Sequence, residues 1–479
     1  MSKNNQHFNV IIVGSGFAGI AAADVLSDYD LRILIMDENI HFGGQLLRRV
    51  PEEWETDSQH KSDKIKRTGF RFVDKVKNKK ITLMNKTTLL GVYENNKILI
   101  ERSREESLTL SCDFLLFATG AREKFIPFKG WTLPGVYSAG MLQVLMKSSG
   151  VLPAKEILIA GSGLFLFAAA HEFLRHGGKI LGIMEQSSFG NKIKFLPQVF
   201  HQFPKFLEGG KYLSHIYFSR VPVRYRRHVL EARGEKKLEE VVVGKLDKKG
   251  GFISGTEKTY SADVLVTGYG FVPNIEAPQL AGCDLEYAEE KGGWTVQVSD
   301  RMETSVKNIL AAGEITGVGG AQKSLNEGKL AAYSILEKLG LEDENKLTSL
   351  FKKLGKKRKH DLNFVKNFNS LYEIKPETLQ EIPDDTIVCR CENVDMKSIK
   401  AAVDMGCHNP NALKVATRST MGPCQGRTCA PVIYDILRTL CRKDQEEIGM
   451  FTARPPIKPV SIQTLSKKES LRKRKAQET

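Results

Sequence analysis

The stretch Phe8-Asn-Val-Ile-Ile-Val-Gly14-Ser-Gly16-Phe-Ala-Gly19 decides the fold of this 479-residue chain. A β-branched run enters a glycine turn, and the apolar residues over 20–26 predict that a helix follows. Gly14 permits the tight turn, Gly16 lets the backbone approach a pyrophosphate, and Gly19 allows the helix to pack closely on the strand. The pattern predicts a dinucleotide-binding site at the N-terminus of this helix.

A second predicted strand, 31–37, ends in an acidic residue. Asp37 stands eighteen residues after Gly19, where its carboxylate is placed to accept the ribose hydroxyls of an adenosine. Gly43-Gly44-Gln45 follows, and its glycines would let the chain pass close to the cofactor, with a plain surface turn as the alternative. Gly44 and Gln45 are therefore candidate cofactor contacts.

A second fingerprint begins in the middle of the chain, at Glu156-Ile-Leu-Ile-Ala-Gly161-Ser-Gly163-Leu-Phe-Leu166. Leu166 occupies the third glycine position, and its larger side chain should push helix and strand apart or force a different packing. The strand that follows is capped by Glu185, which favours NAD over NADP if it binds a ribose. The second site is predicted to bind NAD or another adenine nucleotide, or to be a retained scaffold.

The segment Phe114-Leu-Leu-Phe-Ala-Thr119-Gly120 predicts a buried strand that ends in a turn, and Val264-Leu-Val-Thr267-Gly268 repeats this signature after the second fingerprint. This internal echo implies two similar units, one inserted in the other. Thr119 and Gly120 are candidate cofactor contacts at the first turn.

A third informative strand is predicted before Gly313-Glu314, and a glycine-rich turn and a helix follow it. In a chain that opens with a fingerprint, this pattern resembles the second half of a FAD domain. The resemblance implies that Gly313 and Glu314 lie near the ribityl and pyrophosphate portion of FAD, so FAD is the predicted cofactor of the first site.

Four cysteines near the C-terminus form a candidate metal centre. Cys389 and Cys391 stand as Cys-x-Cys, and Cys424 and Cys429 stand as Cys-x4-Cys. Four thiolates suit an iron–sulfur cluster or zinc, and structural zinc sites favour the second spacing but not the first. A [2Fe–2S] cluster is predicted, with zinc and unrelated buried cysteines as the alternatives.

Hydrophobic residues make up 41% of the chain and charged residues 27%, which is typical of a protein with several packed cores. Eight cysteines are too few for a disulfide scaffold, and the polar start is no signal peptide, so a cytoplasmic location is expected. The net charge of +15 comes from basic runs that no nucleic-acid motif accompanies, so they are interpreted as solvated surface. A peripheral contact with the inner membrane stays open.

The patterns divide the chain into six predicted parts. They are a FAD-binding domain in two parts, 1–120 and 265–345, an inserted NAD(P)-like nucleotide-binding domain, 121–264, a helical linker, 346–380, a cysteine domain, 381–445, and an extended basic tail, 446–479.

Several further stretches carry a family resemblance: Pro127-Phe-Lys-Gly-Trp-Thr-Leu-Pro-Gly-Val, Tyr269-Gly-Phe-Val-Pro-Asn and Thr417-Arg-Ser-Thr-Met-Gly-Pro-Cys-Gln-Gly-Arg. With both fingerprints, they make the chain resemble the two-dinucleotide-binding flavoproteins joined to a [2Fe–2S] domain like bacterioferritin-associated ferredoxin. It resembles the A (alpha) subunits of opine oxidases, the middle subunit of hydrogen cyanide synthase and the alpha subunits of dye-linked proline or hydroxyproline dehydrogenases.

The resemblance implies an α/β fold of two Rossmann-like three-layer domains, one inserted in the other, plus a small, mainly helical [2Fe–2S] domain. It implies a heteromeric FAD-dependent oxidoreductase, in which an amino-acid-oxidase-like beta subunit, with or without a small third subunit, oxidises an amine or imino acid. This chain would relay the electrons toward an acceptor that the sequence does not identify. The alternatives are a stand-alone NADH-dependent reductase and a non-catalytic redox-sensing protein.

Overall fold

The computed structural model describes residues 6–48, 64–77, 79, 81–188, 190, 203–372 and 374–466. The last part of the predicted basic tail, 467–479, lies outside the described residues. Within those that are described, no helix combines the length and the apolar character that a membrane crossing needs.

The strands are β1 (Gln6–Val13), β2 (Ile33–Met36), β3 (Thr82–Met84), β4 (Thr87–Tyr93), β5 (Lys97–Arg102), β6 (Glu106–Phe117), β7 (Ala121–Glu123), β8 (Val136–Ser138), β9 (Glu156–Gly161), β10 (Lys179–Glu185), β11 (Val223–Tyr225), β12 (Arg227–Arg233), β13 (Glu240–Leu246), β14 (Phe252–Ser261), β15 (Leu265–Gly268), β16 (Phe271–Pro273), β17 (Leu285–Ala288), β18 (Gly293–Val296), β19 (Ile309–Ala311), β20 (Ile387–Cys389) and β21 (Val394–Asp395). The helices are α1 (Phe17–Leu26), α2 (Lys64–Lys77), α3 (Ala139–Ser149), α4 (Leu164–Arg175), α5 (Phe203–Phe218), α6 (Glu276–Leu280), α7 (Ala321–Leu339), α8 (Glu344–Asn369), α9 (Pro376–Gln380), α10 (Met396–Asp404), α11 (Pro410–Thr417), α12 (Ala430–Cys441), α13 (Gln445–Ile448) and α14 (Ile462–Ser466). Short 3-10 turns cover Glu289–Lys291, Glu314–Thr316 and Ser370–Tyr372.

The first sheet has the order β3-β2-β1-β6-β5-β4, and β19 pairs with β6. Strands β1, β2, β3, β6 and β19 pair in parallel, whereas β4, β5 and β6 pair antiparallel. The β-branched run of β1 is buried on both faces, as a central parallel strand requires. Helices α1 and α7 pack against each other and cover one face of this sheet.

The second sheet has the order β11-β10-β9-β15-β8, with parallel pairing throughout, and an antiparallel sheet β12-β13-β14 packs beside it. The chain enters and leaves this unit through β7 and β16, which pair with each other. The two Rossmann-like units predicted from the sequence are therefore confirmed. The predicted boundary between 264 and 265 falls one strand too early, because β15 lies in the second sheet between β9 and β8.

The C-terminal region is mainly helical, as predicted, and its core is formed by α9, α10, α11 and α12 around residues such as Ile399 and Ile433. The segment after 445 differs from the extended tail predicted there, because α13 and α14 lie within it. Between these helices the chain crosses the first unit: Ile457 is buried, and its N–H donates to the Leu90 carbonyl at 2.9 Å. Lys458 forms an ion pair with Glu38. The segment is held by one buried apolar side chain and these polar contacts.

Candidate functional site

The first glycine turn is built by close contacts that exclude side chains. Gly14 has φ +105°, and a Cβ on it would lie far inside contact distance of the Ala118 carbonyl oxygen. A Cβ on Gly19 would meet the carbonyl of Gly14 in the same way, whereas Gly16, at the start of α1, faces open space. The turn therefore leaves a backbone surface at the helix N-terminus that a pyrophosphate could approach.

Asp37 is oriented toward this turn by its neighbours. Its Oδ2 accepts hydrogen bonds from the N–H of Ser15 at 2.8 Å and from the Ser15 hydroxyl at 2.6 Å. Its Oδ1 accepts from the backbone and side-chain amides of Asn39, both at 2.8 Å. Sequence reasoning missed Ser15 and Asn39, although the serine stands between the two diagnostic glycines. The carboxylate is fixed where the fingerprint predicts the adenosine ribose.

The Gly43-Gly44-Gln45 segment comes back to the same turn. Gly44 has φ +65°, and a Cβ on it would lie 2.9 Å from the Cα of Gly16. The Gln45 side chain accepts a hydrogen bond from Arg48 at 2.7 Å. The structure thus brings Gly44 against the glycine turn, and a role of these residues in holding FAD stays a prediction.

Gly313 and Glu314 lie beside α1, as a FAD domain requires. A Cβ on Gly313, which has φ +91°, would lie 2.9 Å from the Cβ of Ala18. The Glu314 carboxylate accepts from the N–H of Gly320 at 2.6 Å, and burial raises its pKa. The two halves of the predicted FAD site therefore converge, although they are about three hundred residues apart in the sequence.

A buried charge network that the sequence did not indicate supports this loop. Lys323 Nζ donates to the carbonyls of Gly313 and Gly317, each at 2.8 Å, and lies 2.9 Å from the Glu327 carboxylate. Arg358 on α8 donates to the other oxygen of Glu327 at 2.9 Å. Burial raises the pKa of Glu327, but the charges of Lys323 and Arg358 more than offset this and hold it below its ordinary value.

Thr119 and Gly120 lie at the crossing between the two Rossmann-like units. The Thr119 hydroxyl donates to the Asn274 carbonyl at 2.9 Å, and the Asn274 N–H donates to the Gly120 carbonyl at 3.0 Å. Both follow directly on Ala118, which packs on Gly14. The structure therefore places them beside the first turn and uses their polar groups to join the units.

At the second fingerprint, the missing third glycine is accommodated by a glycine elsewhere. A Cβ on Gly161 would clash with the Gly268 carbonyl, just as a Cβ on Gly14 would clash with the Ala118 carbonyl. Leu166 is buried, and its Cδ2 lies 3.0 Å from where a Cβ on Gly268 would be. Because residue 268 has no side chain, the leucine fits between helix and strand. Of the two outcomes predicted for this leucine, a different packing is the one observed.

Glu185 is completely buried in the structure. Its carboxylate accepts from the N–H of Gly163 at 3.4 Å and of Ser187 at 2.9 Å. The acid is thus positioned at the second glycine turn, but solvent does not reach it. The structure brings Gly161, Gly163 and Glu185 together, and a nucleotide at this turn stays a prediction.

A cavity of about 580 Å³ lies among the two Rossmann-like units and the C-terminal helices. Its walls include Phe165, Tyr269, Trp294, Tyr372 and Thr420. The volume is in the range of cofactor and ligand sites. The sequence did not reveal it, because its wall residues come from segments that are up to about 330 residues apart.

The four candidate cysteines meet as two thiol pairs. Cys389 hydrogen-bonds Cys429, and Cys391 hydrogen-bonds Cys424. The bond with Cys429, helped by the N–H groups of Thr420, Glu392 and Cys391, lowers the pKa of Cys389 to about 6. Among the described residues, no group of three or more histidine, cysteine or acidic side chains has the arrangement of a preformed metal site. The sequence-predicted ligands are neighbours, and Cys391 also interacts with Cys389, as Cys429 does with Cys424.

Arg122 connects the cysteine loop to the first unit. Its Nε donates to the Arg427 carbonyl at 2.9 Å, inside the Cys424–Cys429 loop, and its Nη2 lies 2.8 Å from the Glu276 carboxylate. Arg427 in turn donates to the Cys424 carbonyl at 3.3 Å. The candidate metal centre is therefore tied to the strand that follows Thr119-Gly120.

The family model of the pyridine nucleotide-disulphide oxidoreductases matches residues 8–328, well over half of the chain. The chain belongs to this family. It is accordingly an FAD-dependent oxidoreductase. Unlike disulfide reductases of the thioredoxin reductase kind, its inserted unit has no Cys-x-x-Cys pair in the sequence. A second family model, the sarcosine oxidase A3 domain, matches residues 384–468 and so covers the four candidate cysteines.

Curated relatives of this oxidoreductase match over almost its whole length. The opine oxidase A-subunit of Rhizobium meliloti is 26% identical over 484 residues, covering 97% of this chain and 88% of that protein. The HcnB subunit of hydrogen cyanide synthase from Pseudomonas protegens is 28% identical over 460 residues, covering 94% and 96%. The resemblance inferred from the sequence is therefore confirmed. Both relatives are subunits of larger enzymes.

Among solved structures, L-proline dehydrogenase from P. horikoshii superposes with a TM-score of 0.69 at 20% identity, covering 97% of this chain and 81% of that one. This likeness shows the fold alone. Because it covers 97% of this chain, it includes the C-terminal helices.

Proposed function

We propose that this oxidoreductase is the electron-relay alpha subunit of a multi-subunit dehydrogenase for an amine or imino acid of the opine, proline or hydroxyproline type. An amino-acid-oxidase-like beta subunit, with or without a small third subunit, would oxidise the C–N bond. The curated relatives support this proposal, because both carry subunit names and match nearly end to end. The match to the sarcosine oxidase A3 domain supports it from the cysteine region.

The observation that carries the proposal is the attachment of the cysteine loop to the flavin unit through Arg122. One guanidinium binds the Arg427 carbonyl within the loop and the Glu276 carboxylate of the first unit. Lys124 adds an ion pair with Asp435 on α12, at 2.6 Å. Bound FAD would accept electrons in pairs, and a [2Fe–2S] centre would carry them singly. Fixed attachment keeps the two sites at a constant separation.

The residues present fit both groups. The surface at Gly16, with Asp37 fixed beside it, fits the adenosine and pyrophosphate of FAD, and the family resemblance implies that Glu314 would lie near the ribityl chain. Four neighbouring thiols suit a [2Fe–2S] cluster, which four cysteines can hold. The Cys-x-Cys spacing of Cys389 and Cys391 departs from the pairs that structural zinc sites favour.

The N–H groups around the thiols support the same interpretation. Thr420 directs its N–H toward both Cys389 and Cys429, and Cys424 directs its own toward Cys391. Hydrogen bonds to ligand sulfur stabilise thiolates and tune cluster potentials. These residues would bind and orient the ligands.

The acids that line the cavity are not placed to act as a base on an amine. Glu276 pairs with Arg122, Asp435 with Lys124, Glu289 with Arg438 at 3.2 Å and Glu290 with Lys366 at 3.7 Å. A carboxylate held by a cation is a weak general base, because the cation stabilises its ionised form. This favours amine oxidation in a partner subunit.

The alternative function is a stand-alone NADH-dependent reductase, which the intact Gly161 and Gly163 turn supports. Membership in an oxidoreductase family counts against the third candidate, a redox-sensing protein without catalysis.

The test is anaerobic reduction of the purified chain, alone and in its native complex, followed by visible absorption and by iron and sulfide analysis. We expect the substrate amine to bleach flavin and cluster bands in the complex only, and NADH to bleach neither. Prompt bleaching of the isolated chain by NADH would contradict the relay function. A purified chain that contains flavin but no iron would favour zinc as the metal bound by the four cysteines.

Two cysteine variants sharpen this test. Cys389→Ser should lose the cluster and keep the flavin, because it removes one thiol of a pair. Cys283→Ser, at a buried cysteine outside the candidate centre, is the matched control and should keep both. Equal iron content in the two variants would exclude the cysteine centre.

A further inference from the structure

We propose that a strap, formed by Ser370–Tyr372 and residues 374–381, closes the second dinucleotide fingerprint to NAD(H). The strap follows α8 and leads into the cysteine region. It contacts Ser162 in the second glycine turn and Gln186 directly after β10, beside the place where a dinucleotide would have its adenosine. This inference rests on the proposed relay function. It deepens that function, because a closed second site would exclude NADH as the electron donor.

Hydrogen bonds at three positions of the strap, Tyr372, Thr378 and Glu381, anchor it to the inserted unit. The Ser162 hydroxyl, within the glycine turn, donates to the Tyr372 carbonyl at 3.1 Å. The Gln186 amide, directly after Glu185, donates to the Thr378 hydroxyl at 3.1 Å, and that hydroxyl donates to the Gly250 carbonyl at 3.0 Å. These anchors therefore stand on both sides of Glu185, the acid that the sequence predicts for a ribose.

The third anchor extends the contact to the antiparallel sheet of the same unit. The N–H of Phe252, at the start of β14, donates to both carboxylate oxygens of Glu381, at 2.8 and 3.0 Å. The strap is thus bonded at its start, its middle and its end. A segment bonded in this way cannot move aside without breaking several hydrogen bonds together.

Tyr372 covers the acid itself. Glu185 has no solvent exposure, and its charge, added to burial, raises the pKa of the Tyr372 phenol. The same two causes raise the pKa of Tyr225, so phenols from two segments lie near the carboxylate. A ribose needs the space beside such a carboxylate for its two hydroxyls. Two phenols near the carboxylate would compete with a ribose for that space.

At the first fingerprint, no described residue from a distant part of the chain hydrogen-bonds the Asp37 carboxylate. The hydrogen-bond partners of Asp37 come from its own turn, Ser15, and from the residue two positions on, Asn39. At the second fingerprint, the cover comes from residues nearly two hundred positions after Glu185. The strap is therefore an addition to the Rossmann-like unit. Its contacts distinguish the second glycine turn from the first, which is otherwise similar.

The experiment measures nucleotide binding by the full-length, flavin-loaded chain, with NADH and ADP-ribose as probes in calorimetry. We expect no saturable binding to the wild type below about 1 mM, a level at which binding energy is about 4 kcal/mol. Tyr372→Ala should bind both probes at least about tenfold more tightly, and adding Glu185→Ala should remove that gain. Tyr217→Ala, at a tyrosine that is 77% exposed on the same unit, is the matched control and should behave as wild type.

A second variant covers the case in which Tyr372→Ala does not fold. Thr378→Val keeps the side-chain shape but loses the bonds to Gln186 and Gly250, and it should give a smaller gain in the same direction. Tight NADH binding by the wild type that Glu185→Ala weakens would overturn the proposal, as would a folded Tyr372→Ala chain without any gain. A wild type that binds no NADH, in a complex that the amine also fails to reduce, would refute the relay function and leave the strap intact.

Discussion

Lys323 and Glu327 lie one turn apart on α7 and form an ion pair in which neither side chain is exposed to solvent. The pair ties the Gly313 loop to α8, because Glu327 also accepts from Arg358 and Lys323 also donates to the loop carbonyls. A buried charge network of this kind positions the second half of the FAD site from within the core.

Lys323→Met should therefore destabilise the protein by about 3–5 kcal/mol and lower its flavin content, because it leaves Glu327 buried beside one cation instead of two. Urea unfolding and the flavin-to-protein ratio measure the two effects. Lys346→Met removes an exposed lysine from another pair at the same spacing and should cost less than about 1 kcal/mol. Equal losses of unfolding free energy in the two variants would show that the buried pair contributes no more to stability than the exposed one.

Gly14→Ala should abolish flavin binding. The left-handed backbone and the Ala118 carbonyl both exclude a side chain there, so the turn must open by more than about 2 kcal/mol, which lowers affinity more than tenfold. The flavin absorbance of the purified protein is the measurement. Gly177→Ala has a similar positive φ, +82°, but faces open space, and that variant should keep its flavin. Flavin retained in Gly14→Ala would mean that FAD lies elsewhere.

Leu166 and Gly268 should behave as a coupled pair. Leu166→Ala leaves a cavity that costs about 2–5 kcal/mol, and Gly268→Ala forces the leucine away at a cost of about 1–3 kcal/mol. The double variant should cost at least about 0.5 kcal/mol less than the sum, because the new methyl group occupies part of the cavity. Unfolding free energies of the four proteins test this. Strict additivity would show that the two side chains do not share the space.

Acid should weaken the inserted unit through His228. Burial lowers the pKa of this histidine to about 4, so between about pH 6.5 and 4 the unfolded chain binds a proton that the folded chain does not. Stability should fall over that window, by roughly 2 kcal/mol at pH 5 from this residue. His228→Gln should lose less stability than the wild type between about pH 7.5 and 5, measured by urea unfolding. His408→Gln, at an exposed histidine, should match the wild-type loss, and an unchanged slope in His228→Gln would refute the assignment.

Local patterns in the sequence were sufficient for the two Rossmann-like units. A glycine turn and a strand end are encoded by adjacent residues, so Gly14, Asp37 and Gly161 could be recognised directly. The departure at Leu166 was also visible, but its solution was not, because Gly268 is a neighbour only after the sheet forms.

The parts of the site that sequence reasoning missed depend on long-range contacts. Arg122 reaches a carbonyl three hundred residues away, and Arg358 reaches α7 from a helix that its composition marks only as charged. The strap is another case, because the sequence around Tyr372 contains no motif that indicates a contact with the second glycine turn. Such residues are identified by what they touch, and a polar side chain in a helical or turn segment carries no local sign of its distant partner.

The insertion of one Rossmann-like unit within the other has a consequence for biosynthesis. The second sheet is continuous in the chain from β8 to β15, so all its strands emerge from the ribosome before β19, the strand that β6 still needs. Domains fold as units during synthesis, earlier ones first. We therefore expect the interrupted unit to wait, with the edge of β6 unpaired, until more than three hundred residues have been made. The internal unit, although second in the sequence, would be the first to mature.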